Sequence, residues 1–334
     1  MRIAVLFGGK NEERDVSIAS AAGIVPALRS VGHDVVAVDT AAGFLSIDEE
    51  ARVLRNDVPL SAPSAEATYP RGDLVAALAG RLAEVDLVFL ALHGGEGENG
   101  TMQAYLSLLG LPYTGSDATG SALAMDKELS KRLFRAGGIP TPDWLFNPAS
   151  PAAAVRHLGS PLIIKPNAQG STVGLTLARD VQEAEEGFEL ANRYGDVLIE
   201  RFIAGRELTV GVLDGRPLAV GEIVIPASSA FSYAEKYQPG AVLEVFPADL
   251  DKETTRRAQH LAAQAHQVLK LRGYSRADFR LDPDGELWLI EVNTLPGMTS
   301  TSLLPQSAQA CGISYSDLCS RICSLALSGA RALQ

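Results

Sequence analysis

The chain opens on an unbroken apolar run, "RIAVLF", closed by Gly8-Gly9, and a pattern of helical period follows from about Ser17 to Ser30. A second run, "DVVAVD" (34–39), comes next, and "VDLVFLAL" (85–92) is apolar almost throughout before it ends in "HGGEGENGT". Short apolar runs that alternate with helical stretches predict buried parallel strands in an α/β architecture. Residues 41–72 are polar, proline-bearing and weakly patterned, and read as a variable connection. To about residue 120 the pattern is that of an open doubly wound sheet, with chemistry in the loops at the carboxyl ends of its strands.

The pattern then changes. A helix of about 20 residues is predicted over "DATGSALAMDKELSKRLFRAGG", closed by Gly137-Gly138 and "IPTP". Strand "PLIIKP", a glycine-containing loop, a helix near 180–194 and strand "DVLIE" (196–200) complete a small α+β unit. From about 206, strands "ELTVGVL" and "RPLAVGEIVI" lead to an irregular loop, "PASSAFSYAEKYQPG", and a helix over 252–272 ends at Gly273. Strands "SRADFRL" and "ELWLIEVN" then pair through the turn "DPDG". The expected division is 1–120, 121–205 and 206–334.

Composition narrows the class. Hydrophobic residues make up 46% and charged residues 21%, which fits a folded globular chain. The balance of 40 Asp+Glu against 29 Lys+Arg, a net charge of −11, offers no footprint for nucleic acid or an anionic membrane. No apolar run nears the roughly 18 residues of a spanning helix. "MRIAVLFGGK" is too short and glycine-broken for a signal peptide, so a cytoplasmic protein is expected. Cys311, Cys319 and Cys323 lack C-x-x-C spacing, and the last two lie on an apolar helix face, as core thiols.

Candidate chemistry begins at "KPNAQGSTVG" (165–174). A phosphate-binding P-loop puts its lysine after the glycines, whereas Lys165 precedes them here. "GGKNEE" lacks the third glycine of a dinucleotide fingerprint. In "RADFRL", period-two alternation sets Arg276, Asp278 and Arg280 on one face, and in "IEVN" Glu291 and Asn293 share a face. Asp278, Glu291 and Asn293 form an all-oxygen set of the kind that holds Mg²⁺ together with substrate phosphates. A solvated hairpin edge would carry the same residues, but Phe279, Trp288 and Ile290 are too apolar for a freely exposed ribbon. Lys127 on a helix and Lys165 on a strand, with a flexible loop at 168–174, would clamp an anion from two sides. That is the ATP-grasp arrangement, in which two α+β lobes close on a nucleotide.

The sequence resembles the D-alanine–D-alanine ligases. The motifs carrying the resemblance span nearly the whole chain, in the family's order: "GGKNEERDVS" (8–17), "LHGGEGENGT" (92–101), "LPYTGS" (111–116), "MDKELSK" (125–131), "IIKPNAQGSTVG" (163–174), "YAEKY" (233–237), "RADF" (276–279) and "EVNTLPGMTSTSL" (291–303). The resemblance implies an N-terminal open doubly wound sheet followed by the two lobes of an ATP-grasp fold. It implies ATP-dependent joining of two D-alanines through a D-alanyl phosphate, for peptidoglycan synthesis. It also implies two Mg²⁺ ions per site, replaceable by Mn²⁺, and a homodimer.

By the same resemblance, Glu13 pairs with the first substrate's ammonium, and Lys127 and Lys165 meet the ATP phosphates. Ser171 lies near the first substrate, the segment Glu200 to Ile203, with Phe202, meets adenine, and Glu207 meets the ribose. Asp278, Glu291 and Asn293 hold the metal ions, while Arg276 and the backbone N–H of Gly297 face the developing oxyanion. Ser302 and Leu303 hold the second substrate's carboxylate, and Lys236 and Tyr237 sit on a mobile loop at 226–240 whose tyrosine bonds toward Ser171 and Glu13. On the residues alone, Glu13 also reads as a first-turn glutamate favoured by a helix dipole, Tyr237 as a packed aromatic and Ser302 as a plain N-cap. His93, in a glycine-rich loop, is better placed for the substrate pocket than His260 or His266, which are expected to be solvated on the 252–272 helix.

Two positions depart from the family. Asn99 stands where aspartate is usual, leaving Glu98 as the acid there, and Arg280 replaces an apolar neighbour of the purine, where it is expected to stack on adenine. A different ATP-grasp ligase, a D-alanyl-D-lactate or D-serine ligase, or a non-catalytic amino-acid sensor are the alternative readings.

Overall fold

The structure, a computed structural model, describes residues 1–55, 84–224 and 243–331. The 226–240 loop with Lys236 and Tyr237 lies outside these residues, as do residues 56–72 of the 41–72 connection.

The first sheet has the order β3-β2-β1-β4, built from β1 (Arg2–Phe7), β2 (Asp34–Asp39), β3 (Gly43–Phe44) and β4 (Leu87–Leu90). β1 pairs in parallel with both β2 and β4, and α1 (Arg14–Ser30) makes the crossover between β1 and β2. Ile3 to Phe7 are fully buried, as a central parallel strand covered on both faces requires. Each such side chain contributes roughly 1.5–3 kcal/mol through burial. The start of the expected variable connection holds two short elements, β3 followed by helix α2 (Ile47–Val53). Its start is a capping box, in which Ser46 Oγ accepts from the Glu49 N–H and Glu49 accepts from the Ser46 N–H.

After α3 (Gly95–Glu98) and α4 (Thr101–Leu108), the single long helix expected near 117–138 is two: α5 (Ala118–Met125) and α6 (Lys127–Ala136). Asp126 breaks them. Its backbone is extended (φ −81°, ψ 99°), and its carboxylate accepts from the Leu129 N–H, so it ends one helix and caps the next. Lys127 therefore stands at the first position of a helix. The central sheet runs β5-β8-β6-β7, from β5 (Trp144–Phe146), β6 (Leu162–Pro166), β7 (Thr176–Ala178) and β8 (Val197–Arg201), backed by α7 (Pro151–Leu158) and α8 (Val181–Asn192).

The third sheet has the order β11-β10-β9-β12-β13 and is fully antiparallel, from β9 (Arg206–Leu213), β10 (Arg216–Val224), β11 (Leu243–Val245), β12 (Tyr274–Leu281) and β13 (Leu287–Asn293). Helix α9 (Lys252–Val268) covers it and stops short of the expected residue 272. His266 on this helix is buried rather than solvated, its Nδ1 sharing a 2.8 Å hydrogen bond with Ser275 Oγ, whereas His260 is exposed. The chain ends in α10 (Leu303–Ala310) and α11 (Tyr315–Arg331). Leu318, Cys319, Ile322 and Cys323 of α11 join the core of the first sheet with Ile24 and Leu28 of α1. Burial pushes both thiols up to about 12, as inert core cysteines require. No helix among the described residues is long and apolar enough to cross a membrane.

Candidate active site

Three loops converge on Glu13, the residue preceding α1. Asn11 Oδ1 accepts from the Glu13 N–H (3.0 Å) and its Nδ2 donates to the His93 carbonyl (3.0 Å), tying the loop after β1 to the loop after β4. Ser171 Oγ donates to Glu13 Oε1 at 2.5 Å, so the glycine loop of the central lobe closes onto the first domain. Gly94 and Gly170 face the Glu13 carboxylate, and a Cβ on Gly170 would stand 3.0 Å from both of its oxygens. Glycine at these two positions keeps open the space beside the carboxylate. Behind Glu13, Arg14 pairs with Asp39 (2.6 Å) and also donates to the Gly9 carbonyl, which fixes the turn after β1.

The two lysines are locked from different sides. Lys127 Nζ donates to the Gln169 carbonyl (2.6 Å) and stands 3.5 Å from Glu291 Oε2, so it bridges the glycine loop and the metal-type hairpin. Lys165 Nζ donates to Glu200 Oε1 at 2.5 Å. Asn167 holds the two lysine segments together. Its carbonyl accepts from the Lys127 N–H, its Oδ1 from the Glu128 N–H, and its Nδ2 donates to Asp126.

On the β12–β13 hairpin, Asp278 lies opposite Glu291 and Arg276 opposite Asn293. A bulge leaves Ile290 unmatched, since Phe279 pairs with Leu289 while Asp278 pairs with Glu291. Asp278 accepts from Thr209 Oγ1 (2.8 Å), Asn293 Nδ2 (3.0 Å) and two donors of Arg276 (2.7 Å at the shortest). Among the described residues no group of three or more His, Cys, Asp or Glu side chains could hold a metal ion. Two carboxylates and an amide oxygen fit a hard cation that takes its remaining ligands from phosphate and water.

His93 is buried and bonded at both nitrogens. Its Nδ1 faces the Leu295 carbonyl at 2.8 Å, and a carbonyl can only accept, so the proton is on Nδ1 and Nε2 accepts from Ser20 Oγ (2.9 Å). Burial, reinforced by Arg276 and opposed by the Leu295 carbonyl, pushes its pKa down to about 4. Glu98 holds the other side of the same residue: it accepts from the N–H groups of Leu295 (3.1 Å) and Gly94 (2.8 Å). Burial and then the charge of Glu13 raise its pKa to about 7. Ser20 Oγ also accepts from the Met298 N–H, and Tyr315 donates to the Met298 carbonyl. The segment carrying Gly297 is thus gripped at both ends. Ser302 precedes α10 but its side chain does not cap; Thr299 N–H donates to its Oγ, and a Cβ on Gly297 would meet that oxygen at 2.9 Å. Leu303 opens α10. Asn99 is exposed and serves only a local turn, accepting from the Thr101 N–H.

In the segment 200–207 the carboxylate of Glu200 is buried between Lys165 and Lys131 Nζ (2.8 Å). Arg280 is tied to the same segment by hydrogen bonds. It donates to the carbonyls of Ile203 (3.0 Å) and Gly205 (2.8 Å) and to Glu207 (3.3 Å), and its guanidinium lies 5.7 Å from the Phe202 ring. It is a brace for this segment.

Comparison with known proteins fits this geometry. The family described as "D-ala D-ala ligase N-terminus" matches residues 2–116, and "D-ala D-ala ligase C-terminus" matches residues 133–324. The chain belongs to the D-alanine–D-alanine ligase family. It is 41% identical to the D-alanine–D-alanine ligase of Gloeobacter violaceus over 328 residues, covering 96% of this chain and 98% of that protein. It is 40% identical to the corresponding ligase of Nitratidesulfovibrio vulgaris (strain DP4) over 333 residues, 99% of each chain. Among solved structures it is similar to the Bacillus anthracis ligase complexed with ATP, with a TM-score of 0.79, 30% identity and complete coverage of both chains.

The sequence pattern of this family member does not single out Lys131, Asn167, Thr209 or the clamping role of Glu98. Lys131 lies within "MDKELSK", one helical turn after Lys127, and that spacing is the signal the sequence offers.

The two buried histidines make a stability prediction. His93 and His266 both titrate near about 4 instead of 6.5, for His266 because burial disfavours the charged ring. A lowered folded-state pKa gives stability that is complete above pH 6.5 and lost as pH falls toward 4, at roughly 3 kcal/mol per histidine. Urea denaturation between pH 7 and 4 should show this fall, and His266→Gln should flatten it. An unchanged slope in the variant would exclude His266 as a source.

Proposed function

We propose that this protein joins two D-alanines to D-alanyl-D-alanine with consumption of ATP. The observation that carries the site assignment is Lys127, whose ammonium links the Gln169 carbonyl of the glycine loop (2.6 Å) to Glu291 of the hairpin (3.5 Å). One cation thus touches both surfaces that would enclose a triphosphate.

In the first step a carboxylate oxygen of one D-alanine attacks the γ-phosphorus and ADP leaves, giving D-alanyl phosphate. Lys127 and Lys165 neutralise phosphate charge, and phosphoryl transfer is mostly positioning and charge neutralisation. Asp278, Glu291 and Asn293 would hold Mg²⁺, which supplies further neutralisation of the phosphates when bound. Glu13 receives the substrate ammonium. Burial and then the charge of neighbouring Glu13 raise the Glu98 pKa, and a cation bound at Glu13 would relieve the repulsive part of that cost.

In the second step a neutral amine of the other D-alanine attacks the acyl carbon. The C–N bond forms, the tetrahedral oxyanion collapses, phosphate leaves and the amine loses its proton. Arg276 and the Gly297 N–H are the donors for that oxyanion, aimed by the grip on residues 295–298. The N-terminus of α10 at Ser302 and Leu303 suits the incoming substrate's carboxylate. Because acyl phosphates hydrolyse, the site must exclude water, and the two lobes with the loop at 168–174 are suited to enclose it. Lys236 and Tyr237 lie outside the described residues, and their proposed part in closing the site rests on the family resemblance. A cytoplasmic homodimer completes the proposal, and the solution mass tests its assembly.

The test is product identification. With ATP, Mg²⁺, D-alanine and D-lactate supplied together at neutral pH, the D-alanyl-D-alanine dipeptide should predominate. A predominance of the ester, or turnover with L-alanine in place of D-alanine, would overturn the substrate assignment.

A further inference from the structure

Lys131 is the most deeply buried charge in the site, and no step above uses it. Its side chain is 0% exposed, with Nζ donating to Thr141 Oγ1 (2.8 Å) and Glu200 Oε2 (2.8 Å) and lying 5.3 Å from the Trp144 ring. Glu200 Oε1 accepts from Lys165. One carboxylate, 3% exposed, therefore serves two ammoniums. Burial raises the Glu200 pKa, but the two lysines outweigh it and hold the carboxylate ionised. Burial pushes Lys131 down to about 8, against the pull of Glu200, so it remains an ammonium at neutral pH.

Two positive charges against one negative leave the cluster with one net positive charge. If Glu200 had Lys165 as its only partner, the pair would be neutral, and the lysine proposed to meet the ATP phosphates would arrive already neutralised. We propose that Lys131 is a positioning residue for nucleotide binding: by supplying Glu200 with a second, buried counter-ion it lets Glu200 fix Lys165 in place while Lys165 keeps its attraction for phosphate. This rests on the reading of Lys165 as a phosphate ligand. The buried arrangement is suited to such a role, because charges held away from water interact strongly and Glu200 tethers both cations by charge-assisted hydrogen bonds.

A charge cycle tests it. Calorimetry at pH 7 would measure binding of a non-hydrolysable ATP analogue and, separately, of adenosine. Lys131→Met, close in shape and uncharged, should weaken the analogue about ten-fold while leaving adenosine within about two-fold. Lys131→Met combined with Glu200→Gln removes one charge of each sign and restores the net positive charge through Lys165. The ratio of analogue to adenosine affinity should then return to within about three-fold of the unmodified protein. If Lys131→Met does not fold, Lys131→Gln takes its place with the same expected values. Equal weakening of both ligands, no weakening, or a double variant no better than the single would overturn the proposal. Failure of the unmodified protein to bind the analogue would instead strike the nucleotide reading beneath it.

Discussion

Replacing Glu291 by glutamine should abolish dipeptide formation, by about 10³-fold or more, without unfolding the protein. Glu291 lies opposite Asp278 in the hairpin and 3.5 Å from Lys127, and its side chain is about one-quarter exposed at 24%. Glutamine has the same size and can keep a hydrogen bond to the lysine, so packing on β13 survives. What disappears is one of the two carboxylates in the oxygen set. A site that takes its other ligands from phosphate and water depends on the charge of those it owns, and an amide oxygen cannot replace it. Loss of an electrostatic group at a phosphoryl-transfer centre costs several kcal/mol of barrier, each 1.4 kcal/mol being ten-fold. Dipeptide production at saturating Mg²⁺, set beside near-ultraviolet circular dichroism, checks both halves. Turnover equal to the unmodified protein would remove Glu291 from the metal assignment.

The same hairpin shows what a sequence can and cannot reveal. Alternation in "RADFRL" places Arg276, Asp278 and Arg280 on the partly exposed face and Ala277, Phe279 and Leu281 in the core, as the structure has them. On β13 strict alternation fails. Leu287, Leu289 and Val292 are buried, which alternation from Leu289 cannot give, and the bulge at Ile290 is what turns Glu291 to the side of Asp278. A bulge depends on the partner strand, so a single strand's pattern does not contain it. The break at Asp126 was legible in principle, since aspartate before a lysine-rich turn is a capping signal, but the apolar residues on either side read as one continuous helix. The Lys131–Glu200 pair joins residues 69 apart in the chain. Nothing local marks that pairing; only the folded central sheet brings β8 under α6.

Gly170→Pro should lower ligation about 100-fold while costing about 1 kcal/mol or less of stability. The loop around it is strained and specific. Ser171 and Thr172 both have left-handed backbones (φ 51° and 59°), a conformation uncommon outside glycine. Gly170 lets this turn approach Glu13 so closely that a Cβ would stand 3.0 Å from each carboxylate oxygen, which forces either the carboxylate or the loop to move. Proline adds that bulk and also restricts the preceding residue, Gln169, whose carbonyl accepts from Lys127. One substitution thus disturbs the Ser171–Glu13 hydrogen bond and the Gln169–Lys127 bond, both of which tie the loop to candidate site residues. The stability cost stays small because most of the loop is only partly buried, Val173 being the residue that enters the core. Dipeptide rates and thermal midpoints measured on the same preparations test the claim, with limited proteolysis at 168–174 in the presence and absence of an ATP analogue. Nucleotide should protect this loop in the unmodified protein and protect it less in the variant. If the loss of rate is matched by a proportionate loss of stability, or if nucleotide never alters cleavage, then residues 168–174 are a fixed wall of the site and not its lid.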